Sequence, residues 1–478
     1  MKAHRAILAV ILILTFGLGL PSSQERGLAQ ETGAQERPNI VFILTDDLDT
    51  GSVSVMDAVR AQLIEQGTTF DNAFATDPLC CPSRATFLRG QYSHNTAIRG
   101  NSAPEGGHAK FQRLGLDHST VATWLDGAGY DTVFIGKYMN GYGSGTHYVP
   151  PGWDRWFGWL GHYHSPGGNY SINENRRIED YNLDRIHDTD PLRDKAVNYI
   201  KGHRGTGPFF MYVATNAPHT PAYVPKRHEG MFSSRSLPRP PSFNEQNISD
   251  KPEIVRRPKL SHKKIKELGD RYRKRLASLQ SVDDMVAQII ATLRETNQLD
   301  NTYIMFASDN GYLLGEHRRT EKVLAYEESI RVPFVVRGPR VQHQRLDHLV
   351  TNNDFAPTVA ELAGVEPPVF EDGKTVDGKS FAGLLGVGQP TLEEWRTGFL
   401  VEHLTPSYKA VRTNQHTYVE WANGEKELYD LQRDPYQLNN ALAPGAPPPD
   451  SVLLGDLQRQ LEALRDCTGE GCRIAETS

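Results

Sequence analysis

Cysteine is scarce in this sequence. The 478 residues contain only four, too few for a small fold held together by disulfides. Cys467 and Cys472 lie close together near the C-terminus, where a local bridge is expected in an oxidising compartment. Cys80 and Cys81 are adjacent, and a bond between neighbouring cysteines would be strained. The adjacent pair therefore requires another explanation.

The sequence also lacks an excess of positive charge. Its 52 lysines and arginines are outnumbered by 58 acidic residues, for a formal net charge of −6. Nothing therefore draws the chain as a whole to nucleic acid or to an anionic membrane, and no nucleic-acid partner is expected. An anionic ligand would have to be held by local positive charge. The length of 478 residues allows two or three domains, or one large α/β core with a smaller appendage.

Long apolar runs are absent except at the N-terminus. Two basic residues precede the apolar run Ala6–Leu20, which is the layout of a secretory signal and is short for a spanning helix. We expect a signal peptide over residues 1–29 and a flexible leader over 30–37. Cleavage around Pro21–Ser23 and an uncleaved anchor are the alternatives. The mature chain would then be secreted, periplasmic or extracellular, or lysosomal in a eukaryote, with no transmembrane segment.

Apolar runs of strand length recur along the chain and alternate with helical patterns. These runs are Asn39–Leu44, Thr132–Ile135, Phe209–Ala214 and Thr302–Ala307. Continuous apolar runs are typical of strands covered by helices on both faces. The clearest helix spans Leu276–Leu293, with its apolar residues on one stripe. The alternation predicts an α/β fold with a large, mostly parallel sheet flanked by helices.

Polar residues follow each of these runs. Asp46 and Asp47 follow the first, Lys137 the second, His219 the third and 309–310 (Asp-Asn) the fourth. In doubly wound sheets, ligands bind beyond the carboxyl ends of the strands. We therefore expect these side chains to meet at one rim of the sheet and to form the functional site.

Two regions lie outside this pattern. Residues 235–275 are interpreted as an insertion with a basic stretch, for which a solvated helix face is favoured over a polyanion-binding surface. After a Pro/Gly-rich boundary, Tyr408–Thr413 and the segment behind it alternate as paired antiparallel strands, and a final helix follows. We expect a catalytic domain over 38–370 and a C-terminal subdomain over 390–478.

The segment 80–90 carries the most specific motif, Cys-Cys-Pro-Ser-Arg-Ala-Thr-Phe-Leu-Arg-Gly. It resembles the signature of the sulfatase family, Cys-x-Pro-Ser-Arg followed by a short apolar stretch and glycine. In that family a separate formylglycine-generating enzyme reads Cys-x-Pro-x-Arg and oxidises the first cysteine to formylglycine. Pro82 and Arg84 lie at +2 and +4 from Cys80. The resemblance therefore implies that Cys80 is modified, and that Cys81 is a buried thiol.

The resemblance extends over about residues 38–475 and implies an alkaline-phosphatase-like fold with a smaller C-terminal antiparallel sheet. The implied metal ligands are Asp46, Asp47, Cys80, Asp309 and Asn310. The implied catalytic residues are Cys80, Arg84, Lys137, His219 and Lys322. Within the family, the double-cysteine motif, residues 273–284 and the closing pair Cys467 and Cys472 most resemble the N-acetylglucosamine-6-sulfatase branch.

The residue types suit this chemistry on their own terms. Carboxylates, an amide oxygen and an oxygen at position 80 form an all-oxygen site for Ca²⁺, with Mg²⁺ as the alternative. An aldehyde at Cys80 would hydrate to a gem-diol, one hydroxyl of which attacks sulfur while the other lets the covalent sulfo-enzyme expel sulfate. Lys137 and Lys322 would stabilise the sulfate oxygens, and His219 would assist the leaving oxygen. Arg84 would hold the hydrated side chain.

One position departs from the family pattern. Many sulfatases have a histidine two residues after the motif lysine as the base that helps to expel sulfate, whereas this chain has Met139 followed by Asn140. His317 is a candidate replacement. We predict hydrolysis of a sulfated sugar, such as a 6-sulfated N-acetylglucosamine unit of a glycosaminoglycan, or of aryl sulfates. The alternatives are a phosphomonoester or phosphonate hydrolase of the same superfamily, a non-catalytic exported glycan-binding protein, and a thiol enzyme using unmodified Cys80.

Overall fold

The computed structural model describes residues 37–143, 147–161, 168–203, 205, 207–388 and 395–477. The expected signal peptide, and the leader up to residue 36, lie outside the described residues. Among the residues that are described, no helix combines the length and the apolar character needed to cross a bilayer.

The secondary structure alternates between strands and helices through most of the chain. The strands are β1 Asn39–Thr45, β2 Thr68–Phe70, β3 Ala73–Phe74, β4 Asp131–Gly136, β5 Arg155–Leu160, β6 Asn169–Glu174, β7 Arg177–Asn182, β8 Phe209–Ala214, β9 Thr302–Ser308, β10 Leu313–Leu314, β11 Thr320–Glu321, β12 Phe334–Arg337, β13 Gln344–Leu346, β14 Val350–Thr351, β15 Gly398–Leu404, β16 Ser407–Thr413, β17 His416–Trp421 and β18 Lys426–Asp430. The α-helices are α1 Asp57–Gln62, α2 Cys80–Arg89, α3 Ser93–Thr96, α4 Gly107–Arg113, α5 Val121–Gly127, α6 Thr189–Gly202, α7 His262–Glu295, α8 Glu327–Ile330, α9 Phe355–Leu362, α10 Ser451–Leu464 and α11 Glu470–Ala475.

The main sheet has ten strands in the order β13-β2-β12-β9-β1-β8-β4-β5-β6-β7. Its five central strands, β9, β1, β8, β4 and β5, are parallel to one another. β12 is antiparallel to β9 and β2 on one side, and β6 and β7 form an antiparallel edge on the other. The prediction of a mostly parallel sheet is confirmed at the centre, where β1, β4, β8 and β9 are the four apolar runs.

Both faces of this sheet are covered. Alternate residues of β1 point to opposite sides, so Phe42 packs with Phe355 of α9 while Ile43 joins the cluster that contains Leu279 of α7. All four of these side chains are completely buried. Burying one such side chain contributes about 1.5–3 kcal/mol, which explains why the central strands lack the polar alternation of an exposed sheet.

The C-terminal part forms a separate four-stranded antiparallel sheet, β15-β16-β17-β18. α10 packs on this sheet through Leu457, Leu461 and Leu464. The predicted strand pair corresponds to β16 and β17, and the predicted final helix corresponds to α10. The expected bridge between Cys467 and Cys472 is present. The boundaries of the two expected domains stay a prediction.

α7 is longer than the sequence pattern indicated. It has 34 residues and begins at His262, fourteen residues before Leu276, where the apolar stripe suggested a start. The last third of the presumed insertion, residues 262–275, is therefore the first part of this helix. Its N-cap is Ser261, whose side chain accepts a hydrogen bond from the backbone N–H of Lys264.

Candidate active site

The carboxyl ends of four strands bring the polar residues together. In the sheet register, Leu44 of β1 lies beside Ala214 of β8, and Thr45 lies beside Ser308 of β9. β4 ends beside the same residue of β8, with Gly136 opposite Ala214. Because these strands are parallel and end level with one another, the residues that follow them emerge at one rim. The expected convergence is what the structure shows.

Cys80 lies at the first position of α2, and all ten residues of this helix are buried. Its Sγ atom is 3.5 Å from Asp46 Oδ1 and 3.1 Å from Lys322 Nζ. Burial, followed by the negative charge of Asp46, raises the pKa of the Cys80 thiol to about 12. An unmodified Cys80 in this arrangement therefore keeps its proton at neutral pH. The helix ends at Gly90, which has a left-handed φ of 67° that favours glycine.

Three carboxylates and one amide converge beside Cys80. Oxygen atoms of Asp46, Asp47 and Asp309 all lie within 4.8 Å of one another, and the three side chains are buried. Asn310 donates from Nδ2 to Asp47 Oδ1 at 2.7 Å, while its buried Oδ1 has no hydrogen-bond partner. A buried acceptor without a partner costs roughly 1–3 kcal/mol. Beside three carboxylates it is suited to bind a cation, so the donor set fits a hard divalent ion.

Positive side chains surround the carboxylates. Arg84 donates from Nε to Asp309 Oδ2 at 2.9 Å and from Nη2 to Asp46 Oδ2 at 3.2 Å. Its Nη1 donates to the backbone oxygen of Lys137 at 2.7 Å, which ties α2 to the end of β4. The ammonium of Lys137 contacts Asp46, and that of Lys322 contacts Asp47 in addition to Cys80. Arg84 is thus buried and connects the loop of Asp46 with the loop of Asp309 through two ion pairs.

These contacts shift the pKa values of the charged groups. Burial alone would raise the pKa of Asp46, but Lys137 and the other nearby cations outweigh it and hold the pKa well below its usual range. Burial and the charge of Asp46 raise the pKa of Asp309 to about 6. Burial opposes the charged form of Lys322, yet Asp47 and its neighbours outweigh it and raise the pKa well above its usual value. Asp46 and Lys322 are thus held in their charged forms, and Asp309, with a pKa of about 6, is mainly ionised at neutral pH.

His219 lies at the outer edge of this group. Its Nε2 is 3.7 Å from Asp47 Oδ2, and its side chain is 15% exposed. Its Nδ1 is 2.6 Å from the backbone oxygen of Thr220, and because a carbonyl only accepts, Nδ1 carries a proton. Burial lowers the pKa of His219 below its ordinary value. The imidazole is therefore held in one orientation beside the carboxylates.

Among the described residues, neither the positions after Lys137 nor His317 replaces the histidine of the family pattern. Met139 is buried in the apolar core, and the backbone N–H of Asn140 donates to Cys81 Sγ at 3.0 Å. His317 is completely buried, bonds through Nδ1 to Glu245 Oε2 at 2.8 Å and stacks on a tyrosine. Since burial keeps His317 away from any substrate, it does not have the placement expected of a replacement base.

Arg275 lies next to the site. The sequence analysis placed its basic stretch on a solvated helix face, and for Arg275 that prediction is wrong. It is completely buried, donates to the backbone oxygens of Asp47 and Pro218, and lies 3.9 Å over the ring of Tyr312. It thereby joins the loops that follow β1 and β8. The signal was in the spacing, because Arg275 continues the apolar stripe of α7 four residues before Leu279.

Comparison with known proteins identifies the family. The family model described as Sulfatase matches residues 38–365, and the model described as N-sulphoglucosamine sulphohydrolase, C-terminal, matches residues 315–466. An arylsulfatase of Volvox carteri is 34% identical over 92% of this chain and 76% of its own length. The N-acetylglucosamine-6-sulfatase of Homo sapiens is 32% identical over 91% of this chain and 86% of its own.

Solved structures confirm the alkaline-phosphatase-like fold. A protein in complex with its substrate D-glucosamine-2-N,6-O-disulfate matches with a TM-score of 0.77 and 24% identity, over 92% of this chain and 99% of that one. The phosphonate monoester hydrolase of Agrobacterium radiobacter matches with a TM-score of 0.66 and 21% identity, over 90% and 95%, so the fold alone does not separate the two chemistries. The family models and the relatives do: this chain belongs to the sulfatase family, whose members hydrolyse sulfate esters.

Proposed function

We propose that this chain is an exported, formylglycine-dependent sulfatase that uses Ca²⁺ and acts on sulfated sugars. The observation that carries the proposal is the placement of Cys80. The residue at the modification position of the motif begins a buried helix, with Lys322 at 3.1 Å and Asp46 at 3.5 Å from its Sγ. An oxygen in place of this sulfur would lie beside both the carboxylate cluster and a fixed ammonium.

The proposed ligand set follows from these contacts. Asp46, Asp47, Asp309 and the unpartnered Oδ1 of Asn310 would hold the ion together with residue 80. Ca²⁺ is favoured over Mg²⁺ because oxygen sites for Ca²⁺ tolerate irregular geometry. When bound, the ion supplies positive charge that makes a neighbouring hydroxyl more acidic.

The charge balance of the site favours sulfate esters over phosphate monoesters. Three carboxylates face three cations, so the protein groups alone sum to zero; they are Asp46, Asp47, Asp309, Arg84, Lys137 and Lys322. A divalent ion leaves an excess of two positive charges. A sulfate monoester brings one negative charge, and an ionised hydroxyl at position 80 brings the second. A phosphate monoester, whose second pKa is about 6, would be a dianion at neutral pH and would exceed that balance.

The residues of the chain have separate proposed roles. A hydroxyl oxygen of the hydrated aldehyde at position 80 bonds to sulfur while the bond from sulfur to the sugar oxygen breaks. The proton of that hydroxyl would pass to Nε2 of neutral His219, whose own proton is on Nδ1, and from there to the departing sugar oxygen. Lys137 and Lys322 would stabilise the charge on the sulfate oxygens. Arg84 fixes α2 against the acidic loops. The second hydroxyl then loses its proton, the carbonyl re-forms and sulfate leaves; the base for that proton is unassigned, because Met139 has no titratable group.

The substrate class rests on the relatives. The N-acetylglucosamine-6-sulfatases and arylsulfatases among them, together with the structural neighbour bound to a 6-sulfated glucosamine, support a 6-sulfated glucosamine unit as the natural substrate and aryl sulfates as assay substrates. Cys80 would be oxidised by a formylglycine-generating enzyme during export. The catalytic domain would span 38–370 and the C-terminal subdomain 390–478.

The decisive experiment produces the chain together with a formylglycine-generating enzyme. Mass spectrometry of the peptide that contains Cys80 should show the aldehyde in place of the thiol, and the protein should turn over an aryl sulfate much faster than the matching aryl phosphate. Cys80→Ser, which keeps a hydroxyl but has no carbonyl, is the control and should not support multiple turnovers. Full turnover by Cys80→Ser would refute the proposal, and a preference for the phosphate would favour the phosphohydrolase alternative.

A further inference from the structure

A concavity rich in arginine lies next to the loop that carries Lys322. It has a volume of about 480 Å³ and is lined by Arg256, Arg257 and Arg318. The other lining residues include Asn247 and Ser249, and none of the described residues that line it is acidic. The volume is within the roughly 300–1,000 Å³ range of ligand pockets in proteins.

Arg318 is fixed in place without losing its charge. Its guanidinium donates to the backbone oxygens of Glu245, Gln246 and Arg257 at 2.9, 3.0 and 2.9 Å. Carbonyl oxygens orient a guanidinium but do not neutralise it. Arg318 also has a left-handed φ of 59°, which is unusual for a residue other than glycine. The backbone of residues 245–257 therefore folds around a preset positive charge.

The neighbouring cations are also largely uncompensated. Arg257 donates to the backbone oxygen of Arg256 at 2.8 Å, and Lys259 donates to a glutamine oxygen at 2.6 Å. Burial, followed by the positive charge of Arg257, lowers the pKa of Arg319. Among the described residues, the carboxylate that pairs with these cations is Glu425, at 3.8 Å from Arg256. Like charges held together in this way raise the local positive potential, and a bound anion would relieve their repulsion.

The position of the concavity relates it to the active site. Arg318 lies between β10 and β11, four residues before Lys322, whose ammonium contacts Cys80 Sγ. Four residues of fully extended chain span at most about 14 Å, so the two Cα atoms are no further apart than that. That distance is within the length of an oligosaccharide of a few units, which could contact Arg318 and Lys322 at the same time.

From these observations we propose that the concavity is a second anion-binding subsite. It would take a further anionic group of the same glycan whose sulfate ester is cleaved at residue 80, because guanidinium groups pair with sulfate through two parallel hydrogen bonds. This inference rests on the proposed function and narrows the class of substrate. The preferred substrate is a polyanionic oligosaccharide or polysaccharide, and a single sulfated sugar is a poorer one.

The test reverses the charge of the two exposed arginines. Arg256→Glu combined with Arg257→Glu removes two lining cations and leaves the residues of the active site intact. The matched control is Arg433→Glu with Arg459→Glu, since both arginines are exposed, each pairs with an aspartate, and the net-charge change is the same. Each protein is assayed for hydrolysis of an aryl sulfate, for hydrolysis of a heparin-derived tetrasaccharide with a 6-sulfated glucosamine at its end, and for binding to immobilised heparin at two salt concentrations.

We expect the Arg256/Arg257 variant to keep its kcat/KM on the aryl sulfate within twofold. Its kcat/KM on the tetrasaccharide should fall at least tenfold through KM, and it should leave heparin at lower salt than the control variant. Equal heparin binding and equal tetrasaccharide hydrolysis by the two variants would overturn the subsite. If no sulfate ester were hydrolysed by any protein, the proposed function would fail separately, and the heparin comparison would still decide whether the concavity binds polyanions.

Discussion

Removal of the divalent ion should lower the thermal stability of this protein by a few degrees. A ligand that binds only the folded state at one hundred times its Kd contributes about 2.7 kcal/mol. The folded unit Arg37–Ser478 has roughly 440 residues, and at about 2.1 cal/mol/K per residue its unfolding entropy is about 0.9 kcal/mol/K. The ratio predicts an increase in Tm of about 3 °C at saturating Ca²⁺ over protein in chelator.

The carboxylates that converge on Asn310 provide a sharper version of this experiment. Asp309→Asn removes one of three negative ligands, and a tenfold weaker affinity would reduce the shift at the same Ca²⁺ concentration to about 1.5 °C. The matched control is Asp283→Asn, since this buried carboxylate accepts hydrogen bonds from the backbone of α1 rather than facing the site. The control should unfold at a lower temperature and keep the full shift.

The assay is differential scanning fluorimetry of unmodified and modified protein in chelator and in a Ca²⁺ series, and it does not depend on catalysis. A wild-type Tm that is the same in chelator and in millimolar Ca²⁺ would refute the assignment of the acidic cluster. So would an equal loss of the shift in Asp309→Asn and Asp283→Asn.

Three further predictions concern single residues. Lys322→Ala should lower kcat/KM on an aryl sulfate by about 10²–10³-fold, because a fixed cation beside the reacting sulfate is lost. His219→Ala should slow hydrolysis of a sugar sulfate by about 10²–10⁴-fold but that of an activated aryl sulfate far less, since a good leaving group needs no proton. Glu476 lies beside Arg396, and burial raises the pKa of this carboxyl to about 7. The folded state therefore holds a proton that the unfolded state has already released, so stability should fall as pH rises from about 4.5 to about 7, by about 3 kcal/mol for this group, and Glu476→Gln should flatten the profile in chemical denaturation.

For each of these three predictions, one experimental result would contradict it. Wild-type kinetics in Lys322→Ala would place the lysine outside the reaction. An equal loss on both substrates in His219→Ala would indicate a structural role rather than proton transfer. An unchanged pH profile of stability in Glu476→Gln would show that the buried carboxyl titrates as it does in the unfolded chain.

The centre of the fold could be predicted because its signals are local. Each of β1, β4, β8 and β9 is a continuous apolar run ending in distinctive polar residues, and the register of parallel strands then aligns their ends. The antiparallel edges were not predicted. β2 has three residues and β14 has two, which is too short for any period to show in the sequence, so their pairing depends on contacts between distant segments.

In the site, too, residues with a local sequence signal were predicted, whereas residues placed by contacts between distant segments were not. The cluster around Cys80 was predicted from its motif, from the strand ends and from the family resemblance, and the structure brings these side chains to one rim with His219 at the outer edge. Arg275 was not predicted as a site residue, because it ends a run of lysines and arginines and such a run does not indicate that one of its members faces inward. His317 illustrates the opposite error, since a histidine near a motif lysine suggested a base, whereas its ring is enclosed by Glu245 and Tyr326.

The burial of α2 restricts the time at which the proposed aldehyde could be made. Cys80 is 1% exposed, and the proline and arginine that a maturation enzyme would read are buried in the same helix. A separate enzyme cannot reach a side chain that is enclosed in this way. On the proposed function, oxidation of Cys80 would therefore have to precede the folding of α2, and chain that folded without the maturation enzyme would keep an unmodified thiol.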